Sequence, residues 1–181
     1  YLDSINRING DFDDDTLGQL PDGWNRIPCP DISSGSVAQP WKAWTLFAQS
    51  SPHCMYGEVY SSSSANYTEY EAQSDEVNVQ GNETISVSGF TSLVQISGNW
   101  DDGYVSGCVV NSLKFYDNTD TLLENYILCS FDGTEVDNNI SETDIPIPDD
   151  TDYVKWSVTL YAKQEDLSPN GNENLGAMVD D

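Results

Sequence analysis

"INGDFDDDTLGQLPDGW" (Ile8–Trp24) crowds Asp11, Asp13, Asp14 and Asp15 into five positions between apolar residues, and ends on a Pro-Asp-Gly-Trp turn signal. Asp11, Asp13, Asp15 and Asp22 fall at positions 1, 3, 5 and 12 of an EF-hand-like spacing, which would supply oxygen ligands to a hard cation. Thr16 stands where that loop needs glycine, Pro21 intrudes, and no helical periodicity flanks the segment, so the spacing does not make an EF-hand. Carboxylates this close repel one another, and solvent or a bound cation must compensate. A calcium site of another geometry is therefore expected, with Asp14 and Asp15 read as solvated.

The whole chain shares this acidity. Thirty-one acidic residues oppose six basic ones across 181 residues, a formal net charge of -25. That balance argues against nucleic acid, whose phosphates need Lys and Arg, and against anionic lipid. Metal binding, a saline habitat or plain solubility remain as its causes. With 38% hydrophobic residues, including five Trp, ten Tyr and five Phe, the chain has the material for a core. Its length suits a single domain, residues 1–181. No apolar run is long enough for a signal core or a membrane span, so membrane insertion is not expected. An even set of cysteines and the sequons at Asn66, Asn82 and Asn139 point to a secreted, extracellular or cell-surface glycoprotein.

Strand signals dominate, with the clearest runs at Tyr56–Tyr60, Thr84–Val87, Leu93–Ile96, Val105–Tyr116, Leu122–Phe131 and Tyr153–Ala162. Many short strands without helical crossovers predict an all-β antiparallel sandwich or jelly roll. Folding the Val105–Phe131 hairpin about Asn118–Thr119 sets Tyr116 opposite Thr121, Phe115 opposite Leu122 and Cys108 opposite Cys129. This register favours a Cys108–Cys129 disulfide and leaves Cys29 with Cys54. Four thiols or a zinc site are the alternatives, though no C-x-x-C spacing supports zinc.

Catalytic signals are weak. His53 is the only histidine, and no nucleophile elbow, phosphate-cradling loop or dinucleotide fingerprint accompanies it. Aspartates are too abundant for any carboxylate pair to stand out as a glycosidase site. Aromatic residues beside polar loop residues carry more information: Trp41 and Trp44 in "QPWKAW", and Trp100 and Tyr104 in "GNWDDGY". Flat rings rimmed by Asn, Gln and Asp suit a pyranose, which offers an apolar face and a belt of hydroxyls. Trp24 and Trp156 read as core.

The opening stretch resembles the N-terminal signature of carbohydrate-binding modules with the galactose-binding-like jelly roll, through Asn9, Gly10, Asp11, Phe12 and Asp13, then Gly18, Pro21, Gly23 and Trp24. "SLKFYDNTDTLL", "TDIPIPDDTDYVKWSVTLYA" and the closing "GAMVDD" resemble later segments of that family in the right order. The resemblance implies a structural calcium where the first and last strands meet, held by Asp13 with Asp180 or Asp181, and Asp11 as a helper. It also implies a final strand cut short at Asp181, exposing a sheet edge to another chain. Two functions follow as expectations. The first is a secreted, non-catalytic, calcium-stabilised module that binds a polysaccharide or glycan. The second is a self-assembling subunit of an extracellular filament, surface layer or virion.

Overall fold

The computed structural model describes residues 12, 14–27, 37–45, 53–60, 68–97, 105–132, 137–164 and 174–180. They form eleven strands and, among the described residues, no helix: β1 (Trp24–Ile27), β2 (Val37–Trp44), β3 (Cys54–Tyr60), β4 (Thr68–Ser74), β5 (Val77–Asn78), β6 (Thr84–Ser97), β7 (Val105–Tyr116), β8 (Leu122–Asp132), β9 (Asp137–Pro146), β10 (Tyr153–Gln164) and β11 (Asn174–Asp180). A six-stranded sheet runs β1-β4-β10-β7-β8, with β5 also on β10, and a five-stranded sheet runs β2-β3-β11-β6-β9. All pairings are antiparallel. The two sheets form the expected jelly-roll sandwich.

Alternation along each strand decides the core. On β10, Val154, Trp156, Val158 and Leu160 point inward and are buried. β7 sends in Val109, Leu113 and Phe115, and β11 answers from the other sheet with Ala177 and Val179. On β7 one polar residue accompanies them. Asn111 is fully buried, accepts from Trp156 Nε1 at 3.1 Å, and donates from Nδ2 to Cys129 Sγ at 3.6 Å. Asn111→Leu orphans the Trp156 N–H, and we expect it to cost about 1–3 kcal/mol in a denaturant melt.

At one edge the sheets are joined through Trp41. The β2–β3 register shifts between Gln39 and Lys42, which releases the Trp41 backbone from the ladder. Its N–H then donates to Tyr70 Oη across the sandwich at 2.9 Å, and its carbonyl accepts from Arg26 Nη2 at 2.7 Å and Nε at 3.2 Å. The indole stacks on the Tyr70 ring at 5.6 Å and 19°. It also lies against Gly57, where a built Cβ would meet the indole at 2.5 Å.

Three expectations are corrected here. The β7–β8 turn spans Asp117 to Thr121, because Asp117 Oδ1 accepts from Thr119 N, Thr119 Oγ1 and Thr121 N while Asp120 takes φ 63. Bulges at Phe115/Tyr116 and Asn111/Ser112 then advance the register, setting Cys108 opposite Asp132 and Cys129 opposite Asn111. The ladder therefore does not set Cys108 against Cys129, and no disulfide joins the described cysteines Cys54, Cys108 and Cys129 to one another. Cys29, the other half of the second expected pair, lies outside the described residues.

The final strand also departs from the edge position expected of it. β11 is paired on both sides, to β3 and β6. The edges of that sheet are β2 and β9, so β11 offers no free edge to a neighbouring chain. Lastly, Asp15 is more than solvated: its Oδ1 accepts from Asp22 N at 2.8 Å and ties the Asp14–Gly23 turn together. That turn docks on β2, with Gly18 N bonded to Ala43 O and Ala43 N to Gln19 O.

Candidate functional site

The side chains of β10 that point away from the core are Tyr153, Lys155, Ser157, Thr159 and Tyr161. Their partners on β7 are Tyr116, Lys114, Ser112, Val110 and Cys108, and on β4 the last three face Gln73, Glu71 and Glu69. This is the outer face of the six-stranded sheet, yet it is recessed: exposure is 0% at Ser157, 3% at Ser112, 6% at Tyr153, 7% at Thr159 and 9% at Gln73. From Tyr153 to Tyr161 the strip is about 26 Å long at the strand rise of ~3.3 Å per residue.

Glu71 organises its middle. Oε1 accepts from Lys114 Nζ at 2.5 Å, Ser157 Oγ at 2.5 Å and Gln73 Nε2 at 2.8 Å, drawing β4, β10 and β7 together. Among the described residues the hydrogen bonds of this carboxylate all go to Oε1, which leaves Oε2 as a further acceptor. At one end Tyr116 and Tyr153 stack at 5.1 Å and 13°. Lys155 Nζ lies 5.3 Å from the Tyr153 ring and 5.8 Å from the Tyr116 ring, and pairs with Glu76 Oε1 at 3.2 Å. Tyr153 Oη donates to Asp120 Oδ1 at 2.8 Å, fixing the ring from the β7–β8 turn. Burial, the Asp120 hydrogen bond and the Asp120 charge all push the Tyr153 phenol above its ordinary range. Burial raises Tyr116 and Tyr161 as well, assisted by Glu71 at Tyr116 and by Glu69 at Tyr161. All three phenols therefore stay neutral at physiological pH.

The residues singled out in the sequence lie elsewhere. Trp41 is fully buried in the core, so the expectation of ligand contact there is corrected: the ring fills the interior and joins the sheets. Trp44 is half-buried on β2, in the other sheet, beside Cys54, Tyr56, Phe90 and Met178, with Lys42 Nζ 3.9 Å from its ring. Trp100 and Tyr104 lie outside the described residues. Of the sequons, Asn82 is exposed in a turn and Asn139 is exposed on β9, while Asn66 is outside the described residues.

Asp180 can be examined as a calcium donor, whereas Asp11, Asp13 and Asp181 lie outside the described residues. It is 2% exposed on β11, and its charge adds to burial in pushing the Cys54 thiol up to about 12. The neighbouring His53 donates from Nδ1 to the Phe12 carbonyl at 3.2 Å, and Phe12 takes φ 47. A buried carboxylate is a hard oxygen donor of the kind calcium takes, whereas the Phe12 carbonyl already accepts from both His53 Nδ1 and Asp15 N. Among the described residues no three His, Cys, Asp or Glu side chains gather as a metal cluster, so a full coordination sphere needs donors beyond them.

No protein-family model matches the sequence, and no curated protein matches it. Solved structures do. One concerns the promiscuous specificity of carbohydrate-binding modules from the β-sandwich superfamily; it superposes with TM-score 0.57 at 12% identity, over 97% of this chain and 60% of that one. The fold resembles that of carbohydrate-binding modules. A second, CBM28, a module specific for non-crystalline cellulose, gives TM-score 0.50 at 12% identity over 97% of both chains. This chain thus spans 60% of the length of the first, and at such identity the likeness concerns the fold alone. No helix among the described residues is long and apolar enough to cross a membrane.

The tyrosine strip is distinct from the Trp41, Trp44, Trp100 and Tyr104 set that the sequence alone singles out. The signal was present in "YVKWSVTLY" (Tyr153–Tyr161), where one alternate set is Val, Trp, Val, Leu and the other is Tyr, Lys, Ser, Thr, Tyr.

Proposed function

We propose that this chain is a secreted, non-catalytic module that binds a polysaccharide along the recessed outer face of the six-stranded sheet. The observation that carries the reading is the joint placement of the Tyr116–Tyr153 stack, Tyr161 and the Glu71–Lys114 pair on that one face. Tyrosine rings offer flat apolar surface to sugar rings, while Glu71 Oε2, the Lys114 ammonium and the Thr159 hydroxyl face the hydroxyl rim with both acceptors and donors. A strip about 26 Å long along an extended strand suits a length of chain rather than a terminal sugar. Rings and polar groups mounted on three neighbouring strands are held with little freedom to lose on binding. Likeness of fold to carbohydrate-binding modules supports the same reading.

Retardation in native gels cast with soluble β-glucan, xylan, mannan or galactan tests it. We expect retardation by at least one polymer, reduced in Tyr161→Ala. Unaltered mobility in every polymer would remove the proposal.

A structural calcium near Asp180 belongs to this reading, with Asp13, Asp11 and Asp181 as the further donors. A cation bound only by the native state stabilises it by mass action, about 2.7 kcal/mol at one hundred times Kd. Excess chelator is then expected to lower the melting temperature by about 5–10 °C, and Asp180→Asn to abolish that response. A melting curve indifferent to chelator would take calcium out of the account.

A further inference from the structure

Only six basic residues occur in this chain of net charge -25, yet Lys114 and Lys155 both stand on the recessed face. We infer that the face selects a polysaccharide carrying carboxylate groups, that is, uronic acid units, and that Lys155 is the residue that reads the charge. The inference rests on the glycan-binding reading of the same face.

The two lysines are held differently. Lys114 is closed onto Glu71, whose Oε1 is fixed by Gln73 and Ser157 as well, so this pair is part of the frame. Lys155 pairs with Glu76 at 3.2 Å, and the Glu76 side chain is 54% exposed. An ion pair with one partner so open to water contributes little, and exchanging it for another carboxylate costs correspondingly little. Glu76 would return to solvent while Lys155 keeps a negative partner.

Position makes that exchange available to a sugar. Lys155 Nζ is 5.3 Å and 5.8 Å from the two ring centroids of the Tyr153–Tyr116 stack. A pyranose laid on those rings brings a ring carboxylate within reach of the ammonium, which has three donors to offer. The remaining acidic surface repels any polyanion at long range, but that field fades within about 8 Å at physiological ionic strength and about 3 Å at 1 M salt. Contact at Lys155 then decides. Uronates spaced one per sugar or more sparsely also avoid the phosphate-like charge density that this protein opposes.

Calorimetric titration of the full chain in about 0.5 M salt tests this with matched probes: glucuronoxylan fragments against unsubstituted xylan fragments, and oligogalacturonate against its methyl ester. We expect the acidic member of a pair to bind about five- to tenfold tighter, the range of a charge-assisted contact partly offset by the lost Glu76 pair. Lys155→Gln should erase that preference, the acidic member falling to the affinity of its neutral partner. Glu76→Gln should increase the preference about threefold by freeing the ammonium. Equal or weaker binding of both acidic probes, or a preference that survives Lys155→Gln, would overturn the inference while leaving glycan binding intact. Failure of all four probes to bind would overturn it too, and the gel retardation series would then show whether glycan binding falls with it.

Discussion

Gly57→Ala is expected to lower stability by about 3 kcal/mol, the upper range for overpacking a filled interior, and the melting temperature by roughly 10 °C. The added methyl would sit 2.5–2.8 Å from three atoms of the Trp41 indole, which is fully buried and cannot swing aside into water. That indole is pinned by the Tyr70 stack, and its backbone by Tyr70 Oη and Arg26. Moving it disturbs the join between the sheets, beyond the contact itself. Gly18→Ala is the control: its φ of 80 makes it strained, but open space surrounds the site, so only about 1 kcal/mol is expected. Trp41→Phe in the Gly57→Ala background should restore part of the loss, since the smaller ring leaves room and removes an indole N–H that has no partner among the described residues. Strict additivity of the two changes would contradict this contact as the cause.

Tyr116→Ala and Tyr161→Ala are each expected to weaken polysaccharide binding by about 2 kcal/mol, roughly 30-fold, from lost stacking and lost apolar area. The double variant should leave no measurable binding. Both rings are half-buried on the outer face and outside the core cluster, so the variants should keep melting temperatures within a few degrees of the parent. Trp44→Ala, in the other sheet, should leave affinity unchanged even where it costs stability. Full binding in the double variant would place the ligand elsewhere.

Much of the fold was legible because the strongest strands alternate cleanly. Val105–Tyr116 was bounded from sequence as it occurs, and Tyr153–Ala162 falls two residues short of β10. Strands that were missed have polar or irregular sequences for reasons now visible. Thr68–Ser74 carries Glu69, Glu71 and Gln73 outward into the recessed face, which masks the inward Tyr70 and Ala72. Val37–Trp44 contains Pro40 at a register shift, which hides its strand signal. The cysteine pairing failed on a turn one residue longer and on two β8 bulges, which no residue type announces and which together slide Cys129 from Cys108 to Asn111. The site was half legible. The expectation of aromatic rings beside hydroxyl and carboxylate groups carries over to the proposed face, but Trp41 is core and the rings of that face are tyrosines on strands. Side-chain direction distinguishes the two, and direction depends on register.

The central claim is that a glycan lies on the outer face of the six-stranded sheet. Amide chemical-shift mapping tests it most directly, with the protein titrated by whichever soluble polysaccharide retards it in gels. The account predicts perturbations concentrated on β4, β10 and β7, around Glu71, Gln73, Ser112, Lys114, Tyr116, Lys155, Ser157, Thr159 and Tyr161. Perturbations clustered instead on β2 and β3 around Trp44 and Tyr56, with the β10 amides unmoved, would contradict it.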